Sequence, residues 1–503
     1  MSTENNDRLS SVAGGARILL PATVIGTVLI LAHDMLVNGI LTTAEYGVYT
    51  TCKRILQIGF LLSLVGLENA VIHFVSKARG LGDDLAAKVA WRSAQGISLA
   101  VGGVLAACLV VWADPIGALF QRDGGPELAM GLRILAITLP LASIRMLTTS
   151  ASQGLLVMWP KAVILQILWP AINIIGVLWF SVFSDAGLEG VLWAYDLSML
   201  AGAISGLIIL LKQRPDFAEA ALEASPVAKS VLKFALPLWA FTIVSAAYAW
   251  GDQLLLAGLG GMEAAGQYAP VATLAPLFGI GLTALNGIFA PVISRTYSSE
   301  NSEELSNLYK VVSRWSLTLG LPLCIGAIVA PEAVISVWPE GREEAHLALQ
   351  IIALCYIPGV AVGSVNYMLI MSGHQTHVLW NGIPGVIVNI SLAVWLIPTL
   401  GVAGAAVANG VTLVFISLVA SIQVWWLIGA QPLSLAMWKP LIAGVPAALF
   451  GNFAADYSMG WPGLPSVAFV GLTIALVFVA SLYGLGFESS DRELWRKSRA
   501  KNG

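Results

Sequence analysis

The chain is a succession of long apolar runs separated by short polar stretches. Most runs are near 20 residues long, the length at which an α-helix crosses the hydrocarbon core of a bilayer. The runs are continuous, whereas the strands of a membrane β-barrel alternate apolar and polar residues over about ten positions. The pattern therefore predicts an all-α, polytopic membrane protein with about fourteen transmembrane helices, near residues 16–37, 47–75, 91–112, 131–152, 160–182, 188–211, 231–252, 266–294, 314–336, 345–371, 377–398, 402–427, 439–456 and 465–487.

Composition agrees with a chain that lies mostly in lipid. Hydrophobic residues make up 57% of it, charged residues 11%, and the mean hydropathy is +0.81. Soluble domains carry about 25% charged residues, so a set of soluble domains and a disordered chain are both excluded. The four cysteines lie inside apolar runs without metal-ligand spacing, which favours small buried residues over a metal site or a disulfide.

Basic residues indicate the orientation. Most of the 26 Lys and Arg lie in the tails and in the connections after even-numbered predicted helices. The positive-inside rule then places both termini in the cytoplasm, and the N-terminal stretch lacks a signal-peptide cleavage pattern. The basic cluster at 496–499 is typical of an anchor to anionic lipid and too short to indicate nucleic-acid binding.

The chain repeats itself at a steady offset. Gly47 and Tyr49 recur 219 positions later as Gly266 and Tyr268, and the segment 187–194 resembles 401–408 at a similar offset. The repeating unit holds six predicted helices, an even number, so the two halves have the same orientation. Parallel repeats of this kind are typical of secondary transporters built from two bundles.

Three segments follow from this repeat. We predict one six-helix bundle at 1–215 and a second at 216–430. Residues 431–503 hold two further helices and a basic cytoplasmic tail. In such transporters the substrate path lies between the bundles.

Several short stretches resemble a known family. Leu41 to Tyr49, with Glu45-Tyr46-Gly47-Val48-Tyr49 at its end, resembles the opening motif of bacterial polysaccharide flippases, the Wzx-type members of the multidrug/oligosaccharidyl-lipid/polysaccharide exporter superfamily. The segments 66–70, 234–237 and 263–268 are similar to later stretches of the same family. His73 departs from the pattern, because many members carry Arg there.

The resemblance implies a function and its setting. Such a protein flips a polyprenyl-diphosphate-linked oligosaccharide from the cytoplasmic to the periplasmic leaflet of the bacterial inner membrane, for cell-surface polysaccharide synthesis. It works by alternating access as an antiporter with Na⁺ or H⁺ as the coupling ion, has no other cofactor and is not an enzyme. Its partners are the glycan lipid, membrane lipid and glycan polymerase or assembly proteins, and the functional unit is a monomer.

Four basic residues fall within predicted spans, where an ionisable group is costly unless it faces a partner or water. These are Lys53, Arg54, Arg133 and Arg145. We interpret them as the lining of a cationic cavity for a phosphate-bearing substrate, since the Arg fork binds phosphate oxygens bidentately. For Lys53 and Arg133, near outer helix ends, the alternative is that the side chain extends to the interface.

The predicted second helix has a polar face. In a continuous helix, Arg54, Gln57 and Glu68 would lie within about 60° of one another. A polar stripe of this kind is expensive in lipid, so we expect it to line the cavity. Glu68 would then either pair with Arg54 or take part in ion coupling.

Three more acidic residues admit two roles each. Asp196 could bind a coupling cation or pair with Arg145. Asp34 and Asp252 lie near the outer ends of the first and seventh helices, which are related by the repeat. For these two, the alternatives are ion coupling and a solvated helix end.

Two prolines occupy early positions in the same two helices. Pro21 and Pro237 each free a backbone carbonyl and permit bending. We interpret them as hinges for alternating access, with a static kink as the alternative.

Two other functions compete with a flippase. A multidrug cation antiporter of the same superfamily would be expected to have about twelve helices and an acidic cavity. A membrane glycan polymerase or ligase would be expected to carry a large periplasmic loop, whereas the predicted outer loops are short. The sequence has no P-loop and no metal-ligand spacing, which argues against an ATP-driven pump.

Overall fold

A computed structural model describes residues 2–120, 124–184, 186–219, 226–298, 302–339 and 341–486, with side chains from residue 21 onward except at some positions between 218 and 302. These residues form helices and no β-strand, so the all-α class is confirmed. Within them the chain divides into two compact units, Met1–Ala246 with Gly261–Gly266, and Ala247–Gly260 with Gln267–Gly503. The sequence-based boundaries at 215 and 430 stay predictions.

Among its described residues, unit 1 contains ten α-helices and most of an eleventh. They are α1 (Ser2–Ile40), α2 (Thr43–Leu64), α3 (Leu67–Leu81), α4 (Asp84–Val111), α5 (Ala113–Leu119), α6 (Gly125–Leu135), α7 (Thr138–Gly154), α8 (Trp159–Ala162), α9 (Trp169–Phe183), α10 (Gly187–Gln213) and α11 (Pro226–Gly260), with a π-helix at Val163–Leu168. One apolar core joins α2, α3, α4 and α7 through side chains such as Leu64, Leu67 and Leu147, all of which are buried.

Unit 2 begins with the end of α11 and, among its described residues, continues through nine α-helices. They are α12 (Met262–Phe278), α13 (Ile280–Ser298), α14 (Ser302–Val329), α15 (Pro331–Ile335), α16 (Glu343–Val362), α17 (Val365–Met371), α18 (Gln375–Ile428), α19 (Trp438–Tyr457) and α20 (Gly463–Leu485). Buried side chains of α14, α19 and α20 pack together, including Leu321, Ala447 and Ile474.

The protein is a multi-pass membrane protein. Ten helices in the described part of the chain are long and apolar enough to span a bilayer, and the bent pair α6–α7 raises the number to 11. Helix α18 has 54 residues, about 81 Å, against a hydrocarbon core of about 30 Å. Gly401 interrupts it with non-helical angles of φ 55° and ψ −127°, between the two helices predicted there. The count of about fourteen stays a prediction.

The span predicted at 47–75 falls within a candidate membrane span at Thr43–Leu81, but it is not one continuous helix. Helix α2 ends at Leu64, and Val65 and Gly66 both take left-handed angles, with φ of 51° and 70°. A Cβ on Gly66 would lie 2.6 Å from the carbonyl oxygen of Ala235, so backbone packing as well as φ requires glycine here. Residue-by-residue hydropathy misses this break because the residues around it remain apolar.

Backbone contact also explains why unit 1 contains the first turn of α12. A Cβ on Gly47 would lie 1.8 Å from the carbonyl oxygen of Met262, and a Cβ on Gly266 would lie 1.9 Å from that of Thr43. The contact is reciprocal, because each glycine meets the carbonyl four residues before the other. Glycine is therefore required at both repeat positions.

The segment after α10 is held by an ion cluster. Arg214 binds both carboxylate oxygens of Asp216 at 2.9 Å and Asp84 at 2.9 Å, and its guanidinium lies 5.2 Å from the Phe217 ring. The hydrogen bonds from Arg214 lower the pKa of Asp216 and raise that of Arg214 itself. Phe217 is fully buried and stacks on Trp91 at 5.6 Å, which ties the segment to α4.

Candidate functional site

Asp34 lies at the centre of a buried polar group in unit 1. It is 2% exposed and accepts a hydrogen bond of 2.8 Å from the Tyr46 hydroxyl. The Nζ atom of Lys53 lies 3.9 Å from its other carboxylate oxygen and 5.7 Å from the Tyr49 ring centre. Asp34 is therefore not at a solvated helix end. Lys53 lies beside Asp34 and does not extend to the interface.

Other polar atoms in the described part of unit 1 are buried without a protein hydrogen bond. They include the amide of Asn38, the hydroxyl of Tyr49 and the hydroxyl of Thr51. Buried polar groups in proteins are normally satisfied by protein or ordered water. Polar side chains in this interior are therefore available to bind a polar species.

The repeat places a second carboxylate in unit 2. Asp252 is 3% exposed and accepts hydrogen bonds from the Tyr268 hydroxyl at 2.5 Å and from the Asn409 amide at 2.9 Å. Asp34 and Asp252 are 218 positions apart, but Tyr268 corresponds to Tyr49, one turn from Tyr46. The two halves thus satisfy equivalent carboxylates with tyrosines from different turns of equivalent helices.

Arg145 lies among aromatic rings rather than carboxylates. Its guanidinium carbon is 5.4 Å from the Trp169 ring centre, and the Trp169 and Tyr195 rings meet edge to face at 5.9 Å. No ion pair within 4.0 Å joins Arg145 to an acidic group among the described side chains. Asp196, which the sequence suggested as its partner, accepts a hydrogen bond from Thr138 instead. Tyr195 and Asp196 are consecutive on α10, so their side chains point about 100° apart.

Glu68 is separated from Arg54 by the break between α2 and α3. Arg54 donates a hydrogen bond of 2.9 Å to Gln57, as their spacing predicts for one helix face. Glu68 lies in the first turn of α3 and interacts electrostatically with Lys161, whose Nζ donates to Gln153 at 2.7 Å. The single polar face from Arg54 to Glu68 is therefore wrong.

Arg133 belongs to a different environment from Arg145 and Lys53. It is 46% exposed and forms an ion pair of 2.5 Å with Asp114, which is 70% exposed. The structure therefore does not bring Arg133 into a buried cationic group. Extension of its side chain to the interface, the alternative given for Arg133, stays a prediction.

The two proposed hinges remain predictions. Pro21 lies inside α1. Position 237 falls within α11, but the Pro237 side chain lies outside the part of the structure described. His73, the departure from the family pattern, stacks on Phe234 with ring centres 4.8 Å apart and planes within 11°.

Sequence reasoning missed the neutral partners of these charges. Trp169, Tyr195 and Asn409 carry no local motif, and tryptophans in apolar runs usually indicate interfacial anchors. Tyr46 and Tyr268 do lie in the repeated motif, so their position beside a carboxylate could have been suggested by the repeat. The others come together only through helix packing.

Comparison with protein families matches residues 36–338 to a family described as "Polysaccharide biosynthesis protein". No curated protein sequence matches the chain. The matched region is well over half of the chain.

Solved transporter structures share the fold. The MurJ lipid II flippase, inward closed, superimposes with a TM-score of 0.70 at 13% identity, over 92% of this chain and 98% of that chain. An inward-facing MATE family multidrug resistance transporter gives 0.69 at 16% identity, over 82% and 98%. A MOP superfamily transporter from Pyrococcus furiosus gives 0.59 at 17% identity, over 82% and 95%. The chain therefore belongs to the polysaccharide biosynthesis protein family and has the fold of MOP superfamily transporters.

Proposed function

We propose that this protein is a secondary transporter that flips a polyprenyl-diphosphate-linked oligosaccharide across the bacterial inner membrane by alternating access. The family description supports a role in glycan synthesis. The fold is shared with a structure named as a lipid II flippase, which supports a lipid-linked substrate. Flipping of this lipid would supply oligosaccharide for the synthesis of cell-surface polysaccharide.

The observation that carries this proposal is the environment of Arg145. A cation within an apolar bundle attracts anions strongly, because the low dielectric hardly screens its charge. The Trp169 ring lies 5.4 Å from the Arg145 guanidinium, and no carboxylate lies within ion-pair distance of it among the described side chains. A diphosphate supplies the oxygens that a guanidinium binds bidentately.

We assign coupling by Na⁺ or H⁺ to the buried carboxylates Asp34 and Asp252. Each has a tyrosine hydroxyl as a hydrogen-bond donor, and Asp252 also has the Asn409 amide. Oxygen groups of this type suit a small cation, and a carboxylate can alternatively take up a proton. Binding or release at these positions would change the charge that each unit buries.

A multidrug cation antiporter is the second candidate, since the MATE transporter shares the fold. Buried cations disfavour it, because Lys53 and Arg145 would repel a cationic drug. A glycan polymerase or ligase is the weaker third candidate, for which neither the fold nor the described side chains offer a specific support.

Transport in reconstituted vesicles tests the proposal. The purified protein is placed in proteoliposomes with a fluorescent polyprenyl-diphosphate-linked oligosaccharide, and its appearance in the opposite leaflet is followed. We expect Arg145→Ala to lower the rate roughly tenfold or more, the loss typical of a charge-assisted hydrogen bond.

Arg133→Ala is the matched control, because Arg133 is exposed and paired with Asp114. It should leave the rate unchanged. Full transport by Arg145→Ala, or uptake of a cationic drug without flipping of the glycan lipid, would reject the proposed function.

A further inference from the structure

The guanidinium of Arg145 lies against the Trp169 ring, and among the described side chains no acid forms an ion pair with it. Its distance of 5.4 Å from the Trp169 ring centre is within the range of about 6 Å for a cation–π interaction. Its Nε atom is buried and makes no hydrogen bond to the described protein groups. A ring orients a guanidinium and leaves its charge in place. A carboxylate would orient the guanidinium and also neutralise its charge.

Three helices build this arrangement. Arg145 comes from α7, Trp169 from the start of α9 and Tyr195 from α10, and the two rings are nearly perpendicular at 88°. Gly202 on α10 provides the space, since a Cβ there would lie 2.7 Å from Arg145 Cδ. The arginine stem therefore packs along α10 while its head meets Trp169.

A π-helix directly precedes Trp169. Residues Val163–Leu168 form six residues of π-helix immediately before it. The wider turn shifts the residues that follow by about one position around the helix axis. Short π-helical segments of this kind occur frequently at functional sites. Gln166 within it packs against α1, where a Cβ on Gly26 would lie 2.6 Å from its carbonyl oxygen.

We propose that Trp169, supported by Tyr195, is a positioning residue that presents the Arg145 guanidinium, uncompensated, to the diphosphate of the transported lipid. The inference rests on the proposed function for the nature of the anion. It adds that an aromatic residue on a neighbouring helix determines how tightly that anion binds.

Binding of a polyprenyl diphosphate to the purified protein in nanodiscs tests this by a double-mutant cycle. Trp169→Leu should weaken binding about fivefold to tenfold, the range of a partly desolvated cation–π contact. Trp169→Phe keeps an aromatic face and should retain most of the affinity. In an Arg145→Ala background, Trp169→Leu should cause no further loss, because the group it positions is gone.

Trp179→Leu is the matched control. It is the same substitution on the same helix, at a side chain that is 60% exposed. Its affinity should equal that of the unchanged protein. The inference would be overturned if Trp169→Leu bound the diphosphate as tightly as the unchanged protein. It would also be overturned if Trp169→Leu lowered the affinity by the same factor with and without Arg145.

Gly202→Ala decides the question if Trp169→Leu does not fold. Both rings remain, but the new methyl group must displace the Arg145 stem, so binding should weaken severalfold. Unchanged affinity in Gly202→Ala would overturn the inference. If the unchanged protein binds the diphosphate no better than a polyprenyl alcohol, the proposed function and this inference both fail. If the unchanged protein binds the diphosphate but the Trp169→Leu and Arg145→Ala effects are independent, the inference fails and the proposed function stands.

Discussion

At the scale of single residues, tyrosine hydroxyls hold the buried carboxylates. Asp34 and Asp252 are nearly inaccessible, and each accepts a hydrogen bond from a tyrosine on the following helix. A carboxylate in a bundle interior is costly without donors, so these hydroxyls contribute to stability as well as to orientation.

Tyr46→Phe tests this directly. Removing the hydroxyl deprives Asp34 of a donor and should lower the free energy of unfolding by about 1.5–3 kcal/mol, the range for hydrogen bonds to charged groups. Thermal melts of the purified protein measure it. Tyr49→Phe is the control, since the Tyr49 hydroxyl has no protein partner among the described residues. Equal losses in the two variants would contradict the assignment.

At the scale of elements, glycines decide how closely helices approach. Gly47→Ala must push α2 from the first turn of α12, because the methyl group would overlap the Met262 carbonyl. We expect a loss of about 1–3 kcal/mol in stability, as for other overpacked sites. Gly39→Ala on α1 meets nothing within 4 Å and should be neutral or stabilising. A melt in which both variants behave alike would argue against the close contact.

The ion cluster after α10 should make stability depend on pH. Because Arg214 lowers the pKa of Asp216, this carboxylate stabilises the fold above its unfolded pKa, and the contribution is lost as pH falls below about 4. Asp216→Asn should therefore melt at a lower temperature than the unchanged protein at pH 7, and the difference should disappear in acid. Arg214→Lys keeps the charge but loses the fork, so its effect should be smaller. A difference that is constant with pH would exclude this role.

At the scale of the whole molecule, the repeat supplies two equivalent carboxylates, one in each unit. If they couple transport to an ion gradient, Asp252→Asn should make flipping in proteoliposomes insensitive to an imposed Na⁺ or pH gradient. Asp34→Asn should do the same if both halves take part. Asp456→Asn, at an exposed position, is the control. If the gradient still accelerates flipping in all three variants, neither Asp34 nor Asp252 couples transport to the ion.

Much of this organisation was predictable from one chain. Apolar run length indicated membrane helices, and the Gly47 and Gly266 match indicated a repeat whose glycines prove essential for packing. Asp34, Asp252 and Arg145 were identified because ionisable side chains in apolar runs are few. The break at Val65–Gly66 was not predictable, because it changes backbone angles without changing hydropathy.

Length, hydropathy and charge placement act locally along the chain, so the sequence alone was enough to predict the helical membrane class and the repeat, although not the burial of Asp34 and Asp252 or the exposure of Arg133. Partners depend on which helix faces meet. The fold was needed to show that Arg145 lies against Trp169, that Asp196 binds Thr138 and that Arg133 pairs with Asp114. These contacts join residues 19 to 58 positions apart, so the packing of different helices, and not a local pattern, determines which side chains meet.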